Sequence, residues 1–283
     1  MTEELYERGK TFHVNDIDLY FLDEGEGDPV LLLHGFPDSA RLWRLQIPAL
    51  GEAGYRVIAP DLRGFGRTSR PDRVEAYAIS NVVVDVVGLL DHLEIDVANV
   101  VGHDWGAGVA WGLAAFLPSR CKTLTALSVG HPVSFGDRTN LRQLQASWYM
   151  LLFQFEGIAE ELLSRNDWAF ARSWLKNEID LERYIEDLSR PGALTAALNW
   201  YRANAHPKRW VDDQMDWPQI ELPVMGMWST GDFALTEKQM VDSGKHLSGP
   251  WRYEQIEAPS HWIPLHAPDK VNELLLDFLG NRL

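Results

Sequence analysis

The stretch Val100-Val101-Gly102-His103-Asp104-Trp105-Gly106-Ala107-Gly108 decides the fold. A largely apolar run, 97–101, meets a polar residue flanked by glycines, and a helix-like segment, 109–117, follows. Strand, sharp turn and helix in that order make the elbow that lifts a nucleophile above a sheet, usually written Gly-x-Ser-x-Gly. Asp104 stands where that pattern has serine. The flanking glycines let the chain turn tightly and hold one side chain strained and exposed. Asp is also a common helix N-cap, but the strand–turn–helix context favours the elbow. A carboxylate there is no ordinary acyl-transfer nucleophile. It can attack an electrophilic carbon and form an alkyl ester, which water must then cleave.

Outward from the elbow, short apolar runs recur. Pro29 leads into Val30-Leu31-Leu32-Leu33, the kind of run buried in a parallel sheet. It ends at His34-Gly35-Phe36-Pro37; Asp38-Ser39 then caps a helix whose apolar stripe is Leu42, Leu45, Ile47 and Leu50. Residues 56–61 read as a strand, 79–93 as a helix and 123–129 as a buried strand closing on Gly130-His131-Pro132. Near the start, Asn15-Asp16 forms the turn of a β-hairpin. Strands alternating with helices imply crossover units, hence an α/β fold with a mostly parallel sheet flanked by helices.

The rhythm breaks from 135 to 215. This segment is helix-like and carries Trp148, Trp168, Trp174, Trp200 and Trp210 among the chain's 12 tryptophans. Strand patterns return at 222–228 and 251–256, and 271–279 makes a closing amphipathic helix. The expected organisation is a core over 1–134, an inserted helical cap over 135–215 and the rest of the core over 216–283. Ligands of open α/β sheets bind outside the carboxyl ends of the strands. An aromatic cap over that edge supplies an apolar, water-poor pocket.

Lys plus Arg total 26 and Asp plus Glu total 41, a formal charge of −15. So acidic a chain argues against nucleic acid or an anionic membrane surface as a partner. Cys121 is the only cysteine, so no intrachain disulfide can form, which fits a reducing compartment. The N-terminus is acidic and lacks a signal peptide's apolar core. No apolar run reaches bilayer length; even 82–93 is broken by Asp85 and Asp91. These features predict a cytoplasmic protein; both a monomer and a homodimer are compatible with the sequence.

Three further stretches converge on the edge that carries Asp104. His261, in Ser260-His261-Trp262 after the last strand, is the candidate general base, since neutral imidazole deprotonates water near pH 7. Asp232, in Ser229-Thr230-Gly231-Asp232, would accept a hydrogen bond from that ring and stabilise its charged form, although an Asp beside Gly is also an ordinary turn. The order Asp104, Asp232, His261 is nucleophile, acid and base in the sequence this architecture uses. No carboxylate follows the 123–129 strand, the other place for the acid; His131 and Pro132 stand there. The N–H groups of Phe36 and Trp105 would form the oxyanion hole. His34 reads as a packed core residue.

The chain resembles an α/β-hydrolase, and more narrowly an epoxide hydrolase with a helical cap. The resemblance runs over nearly the whole length: His34-Gly-Phe-Pro, Asp61-Leu-Arg-Gly-Phe-Gly, Gly102-His-Asp-Trp-Gly-Ala, the Asp232 turn and Ser260-His261-Trp262. Haloalkane dehalogenases share the Asp-Trp elbow. Two cap segments, Trp148-Tyr149-Met-Leu-Leu-Phe-Gln and Asn199-Trp200-Tyr201-Arg202, resemble those presenting the two ring-opening tyrosines of epoxide hydrolases. The residues around Tyr149 depart from the family pattern, which leaves Tyr184 as its alternative. Many dehalogenases place a halide-binding Asn where Phe36 stands here.

The resemblance implies an apolar epoxide and water as reactants, with Phe36, Trp105, Tyr149 and Tyr201 touching the substrate. The chemistry agrees, because an epoxide oxygen leaves as an alkoxide unless a phenol protonates it or hydrogen-bonds to it. Carbon–halogen hydrolysis is the nearest rival, and a non-catalytic binding protein a more distant one. No cofactor or metal is expected: there is no Cys/His cluster, and Gly64-Phe65-Gly66 is too short and wrongly placed for a phosphate cradle.

Overall fold

The computed structural model describes residues 2–209 and 216–280. Its centre is an eight-stranded sheet. The strands are β1 (Lys10–Val14), β2 (Ile17–Glu24), β3 (Asp28–Leu33), β4 (Tyr55–Pro60), β5 (Ala98–His103), β6 (Cys121–Leu127), β7 (Val224–Ser229) and β8 (Trp251–Ile256). They lie in the order β1-β2-β4-β3-β5-β6-β7-β8. The β1–β2 and β2–β4 pairs are antiparallel, and β4 through β8 run parallel. The expected hairpin is present: Val14 pairs with Ile17 across Asn15, whose φ of 53° is tolerable for Asn.

Side chains of β3 from Val30 to Leu33 and all six residues of β5 are buried, as strands covered on both faces must be. The covering helices are α1 (Thr2–Glu7), α2 (Gln46–Glu52), α3 (Ile79–His92) and α4 (Trp105–Phe116). The helix expected after Asp38-Ser39 is split. Ser39 caps a short 3-10 turn, Ala40–Trp43, and α2 begins only at Gln46. Asp85, which interrupts the apolar run of α3, is buried and takes two hydrogen bonds of 2.8 Å from Arg63 and one of 2.7 Å from Asn15. A charge in that position has to be paired in this way. Cys121 opens β6, where burial pushes its thiol up to about 12.

Between β6 and β7 the chain leaves the sheet for a run of helices. Its helices are α5 (Pro132–Phe135), α6 (Leu141–Ala146), α7 (Trp148–Leu152), α8 (Ile158–Trp174), α9 (Leu181–Leu188) and α10 (Ala193–Asn204). The helical backbone of α8 breaks at Arg165–Trp168, where Asn166, Asp167 and Trp168 take positive φ. Trp210, one of the expected cap tryptophans, lies outside the described residues, as does the end of the expected cap segment. Three short or closing helices complete the core: α11 (Glu237–Val241), α12 (Ile263–His266) and α13 (Pro268–Gly280). Among the described residues, no helix is long and apolar enough to cross a membrane.

Polar bonds stitch these helices to the rest of the chain along several margins, one of them between Gln143 and the backbone of Ala234 and Thr236. On a second, Arg44 grips Asp180 at 2.7 and 2.9 Å, while Arg183 and Tyr184 reach the buried Asp38 at 2.8 and 2.9 Å. Beside them, Ser260 donates to Glu178 at 2.7 Å and the His266 ring meets the same carboxylate at 3.1 Å. On a third, Trp200 Nε1 donates to Arg63 O at 2.9 Å, and the Asn204 amide bonds Tyr77 O and Ile79 N at 2.8 and 2.9 Å.

Candidate active site

Strand order brings the site together. β3 and β5 are parallel neighbours, with Leu33 opposite Gly102, so the turns after both strands meet. On the other side of β5, β6, β7 and β8 follow in order, and the loops after β7 and β8 carry Asp232 and His261.

Asp104 sits in the elbow with φ 53° and ψ −123°, a conformation costly for any residue with a Cβ. Close packing enforces it. A Cβ on Gly106 would lie 2.1 Å from Leu33 O, and one on Gly35 would lie 2.3 Å from Asp104 Oδ1. The glycines thus let β3, its following turn and α4 close around one carboxylate. Phe36 N–H donates to Asp104 Oδ1 at 2.7 Å, and Trp105 N–H also supports the carboxylate. Burial alone would raise the pKa of Asp104. The His261 charge and these hydrogen bonds outweigh it, and the pKa falls below the usual carboxylate value.

His261 Nδ1 donates to Asp232 Oδ2 at 2.7 Å, while its Nε2 lies 3.6 Å from Asp104 Oδ2. Asp232 Oδ1 is occupied by the N–H groups of Ala234 and Leu235, both at 2.9 Å, so the carboxylate is held rigidly. Burial works against a charged imidazole, but Asp232 and Asp104 more than offset it, and the pKa rises to about 10. With Asp104 ionised beside it, the ring favours its charged form, which Asp232 also supports.

Tyr149 projects from α7 and Tyr201 from α10, both buried, with ring centroids 5.9 Å apart. Tyr201 packs on Trp105 at 5.1 Å and on Phe36 at 5.4 Å, which places it directly over the elbow. Burial, followed by the charge on Asp104, pushes both phenols well above their ordinary value, so both stay protonated. The Trp105 indole N–H lies beside the Tyr201 hydroxyl and partly opposes that rise, yet it completes no hydrogen bond. Tyr184, the alternative to Tyr149, is committed elsewhere, since its hydroxyl donates to Asp38.

Some expectations from sequence resolve as structural parts. His34 is fully buried and its Nε2 accepts Leu62 N–H at 2.8 Å. The Gly64-Phe65-Gly66 loop wraps Asp61, which takes the N–H groups of Ala40 and Arg67 at 2.8 and 2.7 Å. His131 packs against Trp111 and stacks on His246. No group of three or more His, Cys, Asp or Glu among the described residues could hold a metal ion.

Sequence reasoning missed two residues that hold the histidine loop. His103 Nε2–H and Ser128 Oγ–H both donate to His261 O, each at 3.1 Å. Burial, with His261 nearby, pushes the His103 pKa down to about 4, so that ring is neutral. The only available signal was the place of His103 in the elbow, and a single sequence does not say what that position touches.

The model of the alpha/beta hydrolase fold family matches residues 28–268. The chain is 33% identical to Epoxide hydrolase A of Mycobacterium tuberculosis, covering 94% of this chain and 95% of that protein. It is 35% identical to the AB hydrolase superfamily protein YfhM of Bacillus subtilis, covering 95% and 97%. Among solved structures, the Bacillus megaterium epoxide hydrolase in complex with an inhibitor superposes with a TM-score of 0.87 at 25% identity, over 96% of this chain and all (100%) of that one. Epoxide Hydrolase A from Mycobacterium thermoresistibile gives 0.80 at 31% identity, over 96% and 98%. The chain belongs to the α/β-hydrolase family, in its epoxide hydrolase branch.

Proposed function

We propose that the protein hydrolyses an apolar epoxide to a vicinal diol, with residues 135–215 serving as its cap. One arrangement carries the reading: Asp104 Oδ1 is held by Phe36 N–H, and Oδ2 faces His261 beneath two protonated phenols. An oxygen already seated in an oxyanion hole is poised to become the ester carbonyl, which leaves Oδ2 to attack.

In the first step Asp104 Oδ2 bonds to an epoxide carbon. The ring C–O bond breaks, its electron pair goes to oxygen, and that oxygen takes a proton from Tyr149 or Tyr201. Asp104 is now a neutral ester, so one of the charges that raises the His261 pKa is gone. The imidazolium returns a proton to the tyrosinate through solvent and becomes the neutral base. In the second step His261 takes a proton from water, and the hydroxide attacks the ester carbonyl within reach of the N–H groups of Phe36 and Trp105. The tetrahedral species expels the diol oxygen, which takes the proton of the hydroxyl just added to Asp104. Carboxylate, imidazolium and both phenols are restored, with the sum epoxide plus water to diol.

Trapping tests this directly. His261→Gln should arrest the cycle at the ester, and mass spectrometry after exposure to styrene oxide should show the added mass on the peptide containing Asp104. An unchanged mass would remove covalent catalysis. One observation favours a second reading: Trp105 Nε1 is buried without a hydrogen-bond partner, a donor that suits a departing halide. Diol and halide release measured side by side separate the two.

A further inference from the structure

The margin between Trp174 and Phe233 is unlike the rest of the cap–core seam. Trp174 ends α8 and is half-buried, with its ring 5.0 Å from that of Tyr149. On its other side lies Phe233 of the core at 6.1 Å, 39% exposed and next in sequence to Asp232. Phe233 in turn lies 6.2 Å from Trp262, whose ring stands edge-on to His261 at 5.0 Å. A continuous run of aromatic faces therefore leads from solvent to the proposed acid and base. Among the described residues, no hydrogen bond joins the last turn of α8 to the Phe233 loop, whereas the other margins are held by buried ion pairs and amide bonds.

The backbone on the core side is anchored. Asp232 holds the N–H groups of Ala234 and Leu235, and the residue after Phe233 is also tied across the seam, where Ala234 O accepts the amide of Gln143 in α6 at 3.0 Å. Parting the two margins there requires only a ring to rotate, which breaks no polar bond. Opening elsewhere would break the bonds of Asp38 and Glu178, those of Trp200 and Asn204, or those of Gln143 to Ala234 and Thr236. We propose that Trp174 and Phe233 form the gate through which substrate reaches Asp104, and that their ring faces select epoxides bearing an aryl group over alkyl epoxides. This rests on the hydrolytic reading above. An aryl substituent stacks on the rings it passes and so lowers the barrier to entry, by about threefold to tenfold in rate for an aromatic contact of this kind.

The test compares the unmodified protein with Phe233→Leu and Trp174→Leu. The first readout is kcat/KM for styrene oxide against 1,2-epoxyhexane. The second uses no chemistry: the association rate constants of phenylethane-1,2-diol and hexane-1,2-diol, by stopped-flow tryptophan fluorescence. The gate predicts an aryl preference in both readouts that falls about threefold to tenfold in each variant, with the alkyl compounds as good or better. Equal effects on aryl and alkyl compounds, or no effect, overturn it. Phe233→Leu keeps the result interpretable if Trp174→Leu misfolds, because the Phe233 ring is the more exposed. If the diols show the preference and its loss while neither epoxide turns over, the gate stands and the hydrolytic reading fails.

Discussion

Asp104 Oδ2 and His261 Nε2 stand 3.6 Å apart, longer than an ordinary hydrogen bond but close enough for their charges to be strongly coupled. The coupling makes the protonation of the ring depend on the chemical state of the carboxylate. In the proposed cycle the ring holds its proton while Asp104 is charged, and gives it up to become the base once the ester has formed.

Removing that carboxylate should therefore release the histidine. Asp104→Ala lowers the His261 pKa from about 10, with Asp232 still supporting the ring. An NMR titration of the imidazole carbons reads this, and a value unmoved by the substitution would break the proposed order of proton transfers.

The same shift couples pH to stability. His261 has a folded-state pKa of about 10 against an ordinary 6.5, so its protonation stabilises the fold fully below 6.5 and the contribution is lost as pH rises through 10. The melting-temperature gap between the unmodified protein and His261→Gln should narrow over that interval. A constant gap is incompatible with the raised pKa.

The phenols should act on ring opening rather than ester hydrolysis. Tyr149→Phe and Tyr201→Phe are each expected to slow formation of the Asp104 adduct by about 10²-fold, the scale of one general acid. The rate of ester decay should change little. Rapid-quench mass spectrometry separates the two phases; adduct formation at full rate in the double variant would mean that neither hydroxyl assists the leaving oxygen.

Arg183→Met leaves Asp38 buried without its cation, keeping only Tyr184 and the Ser39 N–H as donors. Breaking a buried pair from one side costs on the order of 3 kcal/mol, so thermal unfolding should move down by several degrees. Adding Asp38→Asn should recover part of the loss. No change in melting temperature would mean the latch contributes nothing.

Much of the fold was legible because parallel strands covered on both faces must be apolar throughout, as in Val30-Leu31-Leu32-Leu33, and because the elbow at Asp104 leaves a local imprint of glycines. The candidate acid and base were placed from their positions after the last strands and from chain order, and His261 Nδ1 lies 2.7 Å from Asp232 Oδ2. What stayed hidden depends on contacts between distant segments. Nothing near Glu178 announces Ser260 and His266 as its partners, and the left-handed break inside α8 follows no glycine. The pull of Asp104 on the His261 ring was hidden for the same reason, since the two residues lie 157 positions apart in the chain.

Cys121 gives the chain a further property. Epoxides alkylate thiolates, so a protein that concentrates such electrophiles risks damage from its own substrate. With a pKa near 12, only about one molecule in 10⁵ carries the thiolate at pH 7. The lone sulfhydryl is also buried at the start of a central strand. Under the proposed mechanism the protein therefore offers a reactive compound a carboxylate from which water can free it, and keeps out of reach the sulfur from which it could not be removed.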